Sequence, residues 1–129
     1  LKSFGTNFGM CFQLVDDAID YSSSSRALGK NIGDDFKEGK ITLPIILAYL
    51  RSNTKEKKFW KKTIVDLNQD KDDFEKAIKI INKYNCIEDT IGRAQHFANI
   101  AKDSLGIFNN TKYKESLVNL INSGLTRLN

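Results

Sequence analysis

A chain of 129 residues with 40% hydrophobic and 28% charged residues has enough apolar side chains for one folded domain, which excludes a disordered protein. The net charge of +4 is mild, and aromatic residues follow apolar stripes instead of alternating with lysine, so nucleic-acid binding is not expected. The longest uninterrupted apolar run, Leu43 to Leu50, is far shorter than the roughly 20 residues of a membrane span, so no such span is expected.

The first residues of the chain and its two cysteines suggest what kind of protein the chain comes from. The sequence begins LKSFGTNFG, with neither an initiator Met nor a signal-peptide pattern, so we interpret residues 1–129 as a single-domain fragment of a longer protein. Cys11 and Cys86 are far from any CxxC spacing and are predicted to be reduced, structural thiols, as is usual in the cytoplasm.

Apolar residues recur at helical spacing along almost the whole chain, which predicts an all-α helical bundle. A first helix has one apolar stripe and is expected to end at the serine run Ser22 to Ser25. The stripe consists of Phe4, Phe8, Cys11, Phe12, Val15 and Ile19. A loop from about Arg26 to Ile41 follows, and a second helix begins after Thr42 as N-cap. Because Leu43 to Leu50 is apolar on all sides, we expect this helix to be buried.

Four more helices are predicted in the second half of the chain. Asn53 and Glu56 have the spacing of a capping box at the start of the third helix, and Asn85 is expected to end the fourth. The inward faces of the third and fourth helices are predicted to be Trp60, Ile64 and Leu67, then Phe74, Ala77, Ile78, Ile81 and Tyr84. Those of the fifth and sixth are predicted to be Ile87, Ile91, Ala94, Ala98, Ala101 and Leu105, then Tyr113, Leu117, Leu120, Ile121 and Leu128, with Gly106 closing the fifth.

The stretch FQLVDDAIDY, residues 12–21, concentrates acidic side chains on one helix. At about 100° per residue, Asp16 and Asp20 share a face with Gln13. No Lys or Arg stands three or four positions from Asp16, Asp17 or Asp20, so the repulsion between these carboxylates is not relieved within the helix. A compensating charge must come from another part of the molecule, unless the cluster is an ordinary solvated acidic face.

The stretch ALGKNIGDDFKEGK, residues 27–40, could supply such charges, because Lys30, Lys37 and Lys40 stand among three glycines. Glycine lets backbone N–H groups approach phosphate oxygens closely. The spacing matches neither a Walker A loop nor a GxGxxG fingerprint. A hard divalent cation such as Mg²⁺, bound by carboxylates and phosphate oxygens, suits both segments. The lone His96 and the two distant cysteines supply neither a zinc site nor a nucleophile pair.

GMCFQLVDDAIDY followed by LGKNIGDDFKEGKITLPIILAYL resembles the second aspartate-rich region of the trans-isoprenyl diphosphate synthases. Later segments, including FWKKTIVDL and IEDTIGRAQHFANIAKDSLGIF, resemble the long-chain octaprenyl and decaprenyl branch of this family. The resemblance implies the C-terminal half of an isoprenoid-synthase-type fold. It also implies a Mg²⁺-dependent prenyltransferase that elongates an allylic prenyl diphosphate with isopentenyl diphosphate, as a cytoplasmic homodimer when full-length.

The resemblance also implies roles for individual residues. The metal ligands would be Asp16, Asp17 and Asp20, which would act in catalysis together with Lys30. The substrate-binding residues would be Phe12, Gln13, Lys30, Asp35 and Lys40. The first aspartate-rich motif of the family would lie upstream of Leu1, so the 129-residue chain is expected to be inactive alone.

Two alternatives remain open at this point. The chain could be a non-catalytic helical subunit that keeps the motif and binds a partner chain. A class I terpene cyclase is the weaker alternative, because the second metal motif of that class, built from Asn, Ser and Glu, is not evident.

Overall fold

The computed structural model describes residues 2–22, 33–106 and 111–126, and within them it contains helices and no strand, which confirms the all-α prediction. The helices in chain order are α1 (Lys2–Ile19), α2 (Asp34–Lys37), α3 (Leu43–Arg51), α4 (Thr54–Trp60), a π-helical turn (Lys61–Val65), α5 (Asp73–Lys83), α6 (Cys86–Ser104) and α7 (Lys112–Thr126). The one-turn helix α2 lies inside the segment that the sequence predicted as a loop.

The first hydrophobic cluster joins α1, α6 and α7. Its buried residues are Phe4, Cys11, Leu14, Val15, Ile19, Ala94, Ala98, Ala101, Leu105 and Ile121. Small alanine side chains on α6 let α1 approach closely, and this pair of helices has the most extensive contact among the described elements. The predicted alanine seam of α6 is confirmed, and the long contact fixes the axis of α1.

The second cluster joins α2, α3, α4, the π-helical turn, α5 and the start of α6, together with Tyr21 just after α1. Its buried residues are Tyr21, Phe36, Ile45, Leu47, Ala48, Trp60, Ile64, Ala77, Ile81 and Cys86. Trp60 Nε1 donates to Ser52 Oγ at 3.1 Å, and this hydroxyl donates to the carbonyl oxygen of Ala48 at 2.6 Å. Leu43 packs against both clusters and so connects them.

Glu56 connects α4 to α5. The predicted capping box is present, with Glu56 Oε1 accepting from the Asn53 backbone N–H at 2.9 Å and Asn53 Oδ1 accepting from the Glu56 N–H at 2.9 Å. Tyr84 donates its hydroxyl to Oε1 and Lys83 donates to Oε2 at 3.0 Å. These donors, with Tyr84 the strongest influence, lower the pKa of Glu56 to about 2.

The prediction that the whole apolar run of Leu43–Leu50 is buried is wrong. Ile46, Tyr49 and Leu50 are exposed, Leu50 by 67%. A short helix offers only part of its circumference to its neighbours, and on α3 the buried residues are Pro44, Ile45, Leu47 and Ala48. The uncovered side lines a groove of about 530 Å³ that also includes Ile41, Val65, Lys57, Lys58 and Lys61.

Other predicted core positions are corrected too. Phe12 is 40% exposed, and Leu14, which the predicted stripe omitted, is buried in its place. Leu67 is exposed because the helix changes to a π-helical turn that ends at Val65, which leaves Leu67 outside it with a φ of 52°. Tyr113 and Leu120 are exposed on α7, whereas Leu128 lies outside the described residues. Helix α1 ends at Ile19, before the serine run.

Both cysteines are free and buried, as their spacing predicted. Burial raises the pKa of the Cys11 and Cys86 thiols, which keeps them as unreactive thiols near neutral pH. Among the described helices, none is both long enough and apolar enough to cross a bilayer.

We predict that Glu56→Gln lowers the free energy of unfolding at pH 7 by about 1 to 2 kcal/mol, because it removes the charge that the cap, Tyr84 and Lys83 stabilise. Since the folded pKa of Glu56 lies below its ordinary value of 4.5, its contribution is present above pH 4.5 and declines as the pH falls towards about 2. Urea unfolding at several pH values measures this difference.

Glu75→Gln is the matched control, because Glu75 also lies in the first turn of its helix but has no capping box. The assignment fails if both variants lose the same stability at pH 7, or if the Glu56→Gln difference does not shrink in acid.

Candidate functional site

The acidic cluster lies at the C-terminal end of α1, where the helix dipole disfavours negative charge. Asp16 is partly buried, Asp17 is 7% exposed and Asp20 is fully buried. The last turn of α1 contains no basic residue. The sequence therefore places carboxylates where the local helix does not stabilise them, and the stabilising groups lie elsewhere.

Asp17 receives partial compensation from two sides. Gln13 Nε2 donates to Asp17 Oδ1 at 3.0 Å. Burial raises the pKa of the Asp17 carboxyl, and the nearby charges of Asp35 and Asp16 raise it further, whereas the Gln13 bond and the positive charge of Lys40 oppose this effect. Lys40 thus supplies a nearby positive charge that the helix itself lacks.

Asp20 holds the following loop against α1. Its Oδ2 accepts the backbone N–H of Asp35 at 3.1 Å, across fifteen positions of the chain. Asp35 belongs to α2, whose N-cap residue Gly33 has left-handed backbone geometry and offers no side-chain cap. Asp20 therefore supplies, from α1, the acceptor that the first turn of α2 needs.

Aromatic packing also holds α2 in place. Phe36 is buried, and its ring lies 5.7 Å from the ring of Phe74, which also packs near Tyr21. Gly33 has a φ of 78°, and a Cβ there would lie 2.7 Å from Cε1 of Phe74. Both the backbone geometry and the close ring require glycine at this position.

The C-terminal end of the loop rests on the π-helical turn. Gly39 has a φ of 67°, and a Cβ there would lie 2.7 Å from the carbonyl oxygen of Ile64. Gln69 Nε2 donates to the carbonyl oxygens of Phe36 at 2.7 Å and Thr63 at 2.9 Å. Gln69 was not predicted from the sequence, because a single glutamine between two helices has no recognisable pattern.

Tyr21 is a second residue that sequence reasoning missed. It is buried, and among the described residues its hydroxyl has no hydrogen-bond partner. Burial raises the pKa of Tyr21 strongly, and the charges of Asp20, Asp35 and Asp17 raise it further. It stays a neutral phenol at the edge of the acidic cluster, next in the chain to Asp20.

The structure brings together most of the residues that the sequence selected. Gln13, Asp16, Asp17, Asp20, Asp35 and Lys40 are connected through the bonds and charges described above. Phe12 lies on α1, exposed, with its ring 6.1 Å from that of Phe8. Lys30 lies outside the described residues.

The donor chemistry of this site fits a hard divalent cation with additional oxygen ligands. Carboxylate oxygens are the protein ligands that Mg²⁺ prefers, and Mg²⁺ usually takes only one or two of them alongside water and phosphate oxygens. Within residues 2–22, 33–106 and 111–126, no three His, Cys, Asp or Glu side chains converge into a ready-made metal cage. A divalent cation held here would take further oxygen ligands, such as those of water or phosphate.

Fold and site together define an all-α protein in which an acidic helix end faces a lysine-bearing glycine loop. The family model described as Polyprenyl synthetase matches residues 1–81, more than half of the sequence, so the chain belongs to the polyprenyl synthetase family.

Individual relatives agree with this family. The octaprenyl diphosphate synthase of Haemophilus influenzae is 33% identical over 120 residues, which cover 93% of this chain and 36% of that protein. The all-trans-nonaprenyl-diphosphate synthase (geranyl-diphosphate specific) of Rhodobacter capsulatus is 34% identical over 128 residues, covering 99% of this chain and 39% of that protein.

A solved structure has the same fold. The polyprenyl synthase from Caulobacter crescentus CB15, crystallised with calcium and isoprenyl diphosphate, matches with a TM-score of 0.90 and 38% identity, over 98% of this chain and 39% of that one. The chain thus spans less than two fifths of the length of these relatives.

We predict that Asp17→Asn stabilises the metal-free chain at pH 7, by roughly 0.5 to 2 kcal/mol, because it removes a carboxylate that burial disfavours. Asparagine keeps an oxygen to accept the Gln13 N–H. Since the folded pKa of Asp17 lies above its ordinary value of 3.8, the advantage of the variant is absent below pH 3.8 and appears as the pH rises through the folded pKa.

Urea unfolding in EDTA measures this effect, with Asp103→Asn, at an exposed position of α6, as the control. A loss of stability in Asp17→Asn at pH 7 would contradict the prediction.

Proposed function

We propose that this chain is the C-terminal, diphosphate-binding part of a Mg²⁺-dependent long-chain trans-polyprenyl diphosphate synthase, a transferase, and that residues 1–129 form one domain of it. One observation supports the proposal above all. The Asp20 carboxylate binds the amide of Asp35, which brings the loop that ends in Lys40 to the acidic end of α1. The lysine that would bind an anion then lies near the aspartates that would bind a cation, since the charge of Lys40 lowers the pKa of Asp17.

The proposed substrates are an allylic prenyl diphosphate and isopentenyl diphosphate. The allylic C–O bond breaks, and its electron pair leaves with the diphosphate. The double bond of isopentenyl diphosphate supplies the electron pair of the new C–C bond, and loss of a proton restores a double bond. Because negative charge grows on the departing diphosphate, cations fixed near its oxygens lower the barrier.

The residues of this chain would perform the binding and orienting steps. Lys40 would contact the diphosphate of the allylic substrate, and Lys30 is proposed for the same role. The backbone N–H of Asp35 donates a hydrogen bond to Asp20, which attaches α2 to the end of α1. Gln13, which orients Asp17, would lie beside the allylic substrate together with Phe12.

Magnesium is proposed as the cation, held by Asp16, Asp17 and Asp20. When bound, it would neutralise diphosphate oxygens during bond breaking. Asp16 is the most accessible of the three aspartates, and we propose it for direct contact. The Caulobacter crescentus polyprenyl synthase was crystallised in complex with calcium and isoprenyl diphosphate, which supports the proposal of a divalent cation and a diphosphate ligand.

Two further properties are proposed for the whole protein. We propose a homodimer and a cytoplasmic location, both from the resemblance to long-chain synthases. Relatives such as the octaprenyl diphosphate synthase of Haemophilus influenzae support a long prenyl product.

A partner-binding helical subunit is the second candidate. The groove along α3 favours it, because exposed Ile46, Tyr49 and Leu50 form an apolar surface beside Lys57, Lys58 and Lys61. An amphipathic helix with an apolar face and acidic flanks would fit this surface.

We predict that Mg²⁺ binds weakly to this chain alone and more tightly when inorganic pyrophosphate is present, because phosphate oxygens complete the coordination. Asp16→Asn and Asp20→Asn should each weaken Mg²⁺ binding in the presence of pyrophosphate by roughly tenfold. Asparagine at position 20 keeps an oxygen for the amide of Asp35, so the loop stays attached while the charge is removed. Isothermal titration calorimetry measures the affinities.

Asp103→Asn is the control, since Asp103 is exposed near the end of α6. The metal assignment fails if both site variants bind Mg²⁺ as the wild type does, with and without pyrophosphate.

We also predict that the 129-residue chain does not elongate a prenyl chain alone but does so when mixed with the separately expressed upstream portion of a long-chain relative. Positioning and charge stabilisation are each worth several kcal/mol of barrier, and the chain spans only 39% of the Rhodobacter capsulatus protein. Labelled isopentenyl diphosphate, an allylic primer and Mg²⁺ provide the assay. Turnover by the chain alone would contradict this prediction, whereas binding on mixing without turnover would favour the partner-binding candidate.

A further inference from the structure

Gln69 joins two segments that are distant in the sequence. Its amide nitrogen donates to the carbonyl oxygens of Phe36, 33 positions away, and Thr63, six positions away. A primary amide has two N–H groups, so both bonds can form together. Because both partners are carbonyl oxygens, only the nitrogen end of this side chain can face them.

The two carbonyls differ in what they need. Thr63 lies near the end of the π-helical turn, where carbonyls lack the donor that another helical residue would supply. Phe36 lies in α2, and its carbonyl also accepts the N–H of Gly39. Capping of the π-helical turn explains the hydrogen bond from Gln69 to Thr63. The hydrogen bond from Gln69 to Phe36 has a different effect, because it fastens the loop to that turn.

Gly39 supports the same attachment independently. A Cβ at this position would lie 2.7 Å from the carbonyl oxygen of Ile64 and 2.6 Å from Cδ2 of Leu67. Backbone of the π-helical turn and backbone of the loop are therefore in direct contact. Asn68 N–H bonds to the carbonyl of Lys62, which holds the segment leading to Gln69 close to the turn.

We propose that Gln69 is a positioning residue for the diphosphate site, acting through Asp35 and Lys40. The hydrogen bond from Gln69 to the Phe36 carbonyl holds α2 against the π-helical turn. Asp20 accepts the backbone N–H of Asp35 and so holds α2 against the end of α1. The N–H of Lys40 in turn bonds to the carbonyl of Asp35 at 2.9 Å. Fixing Phe36 thus fixes the backbone that presents Lys40 to the acidic end of α1.

The link to diphosphate rests on the proposed function, whereas the attachment of the loop does not. Gln69→Met tests both, because methionine keeps a similar length and no charge but has no N–H to donate. Gln95→Met, at an exposed position of α6, is the matched control. Gly39→Ala perturbs the same contact from the loop side, by a different mechanism.

The first measurement is amide hydrogen exchange by NMR. In Gln69→Met and Gly39→Ala, the amides of Asp35, Gly39 and Lys40 should exchange roughly tenfold faster, as expected when hydrogen bonds that support the loop are lost. Amides of Ala98 and Ala101 in the core of α6 should not change. Unchanged exchange in the loop would overturn the proposal, even if the chain binds no ligand.

The second measurement is calorimetric affinity for inorganic pyrophosphate with Mg²⁺. Gln69→Met should weaken it roughly tenfold, and Lys40→Gln should weaken it as well. If Gln69 acts through the loop that carries Lys40, the double variant should lose less than the two single effects combined. Fully additive losses, or loosened exchange with unchanged affinity, would overturn the positioning role.

The two measurements separate two kinds of failure. If the wild-type chain binds no pyrophosphate, the proposed function fails, and exchange alone then decides whether Gln69 holds the loop. If the wild type binds and Gln69→Met loses neither affinity nor loop protection, the proposed function survives and the role of Gln69 is rejected.

Discussion

The carboxylate of Asp20 is fully buried at the end of α1, and its Oδ2 accepts the backbone N–H of Asp35. A buried carboxylate without hydrogen bonds would be costly, so this bond and the position of the loop depend on each other. The axis of α1 is fixed by its long contact with α6, which gives the carboxylate a defined place. The loop therefore has its position set by the main helical core.

The acidic cluster lowers stability where the site requires charge. Asp16 and Asp17 stand at the negative end of the α1 dipole, and burial raises the pKa of Asp17. The buried hydroxyl of Tyr21 adds a polar group without a hydrogen bond in the described part of the chain. Burial of the two apolar clusters offsets these costs, and functional sites commonly retain residues that lower stability.

Sequence patterns predicted the features that depend on helical periodicity or on residues close together in the sequence. The alanine seam of α6 and the Asn53–Glu56 capping box were predictable, because helical spacing and capping depend on nearby residues. The aspartates were selected because no Lys or Arg lies three or four positions away, and Lys40 because it stands among glycines in the segment that follows. Burial of Leu50 was predicted wrongly, since apolar character does not say which side of a helix its neighbours cover. Gln69 was not predictable, because its partners are set by tertiary structure.

Irregular backbone geometry is found where the loop contacts the π-helical turn, and it has a structural consequence. Gly39 and Leu67 both have positive φ. The π-helical turn Lys61–Val65 contacts Gly39 and ends two residues before Leu67. A wider turn rearranges the carbonyls at its end, which leaves that of Thr63 available to Gln69. The positive φ of Leu67 ends the helical course of the chain two residues before Gln69, whose side chain then reaches Phe36 and Thr63. The local departure from ideal geometry is thus what allows one side chain to hold both the end of the turn and the loop.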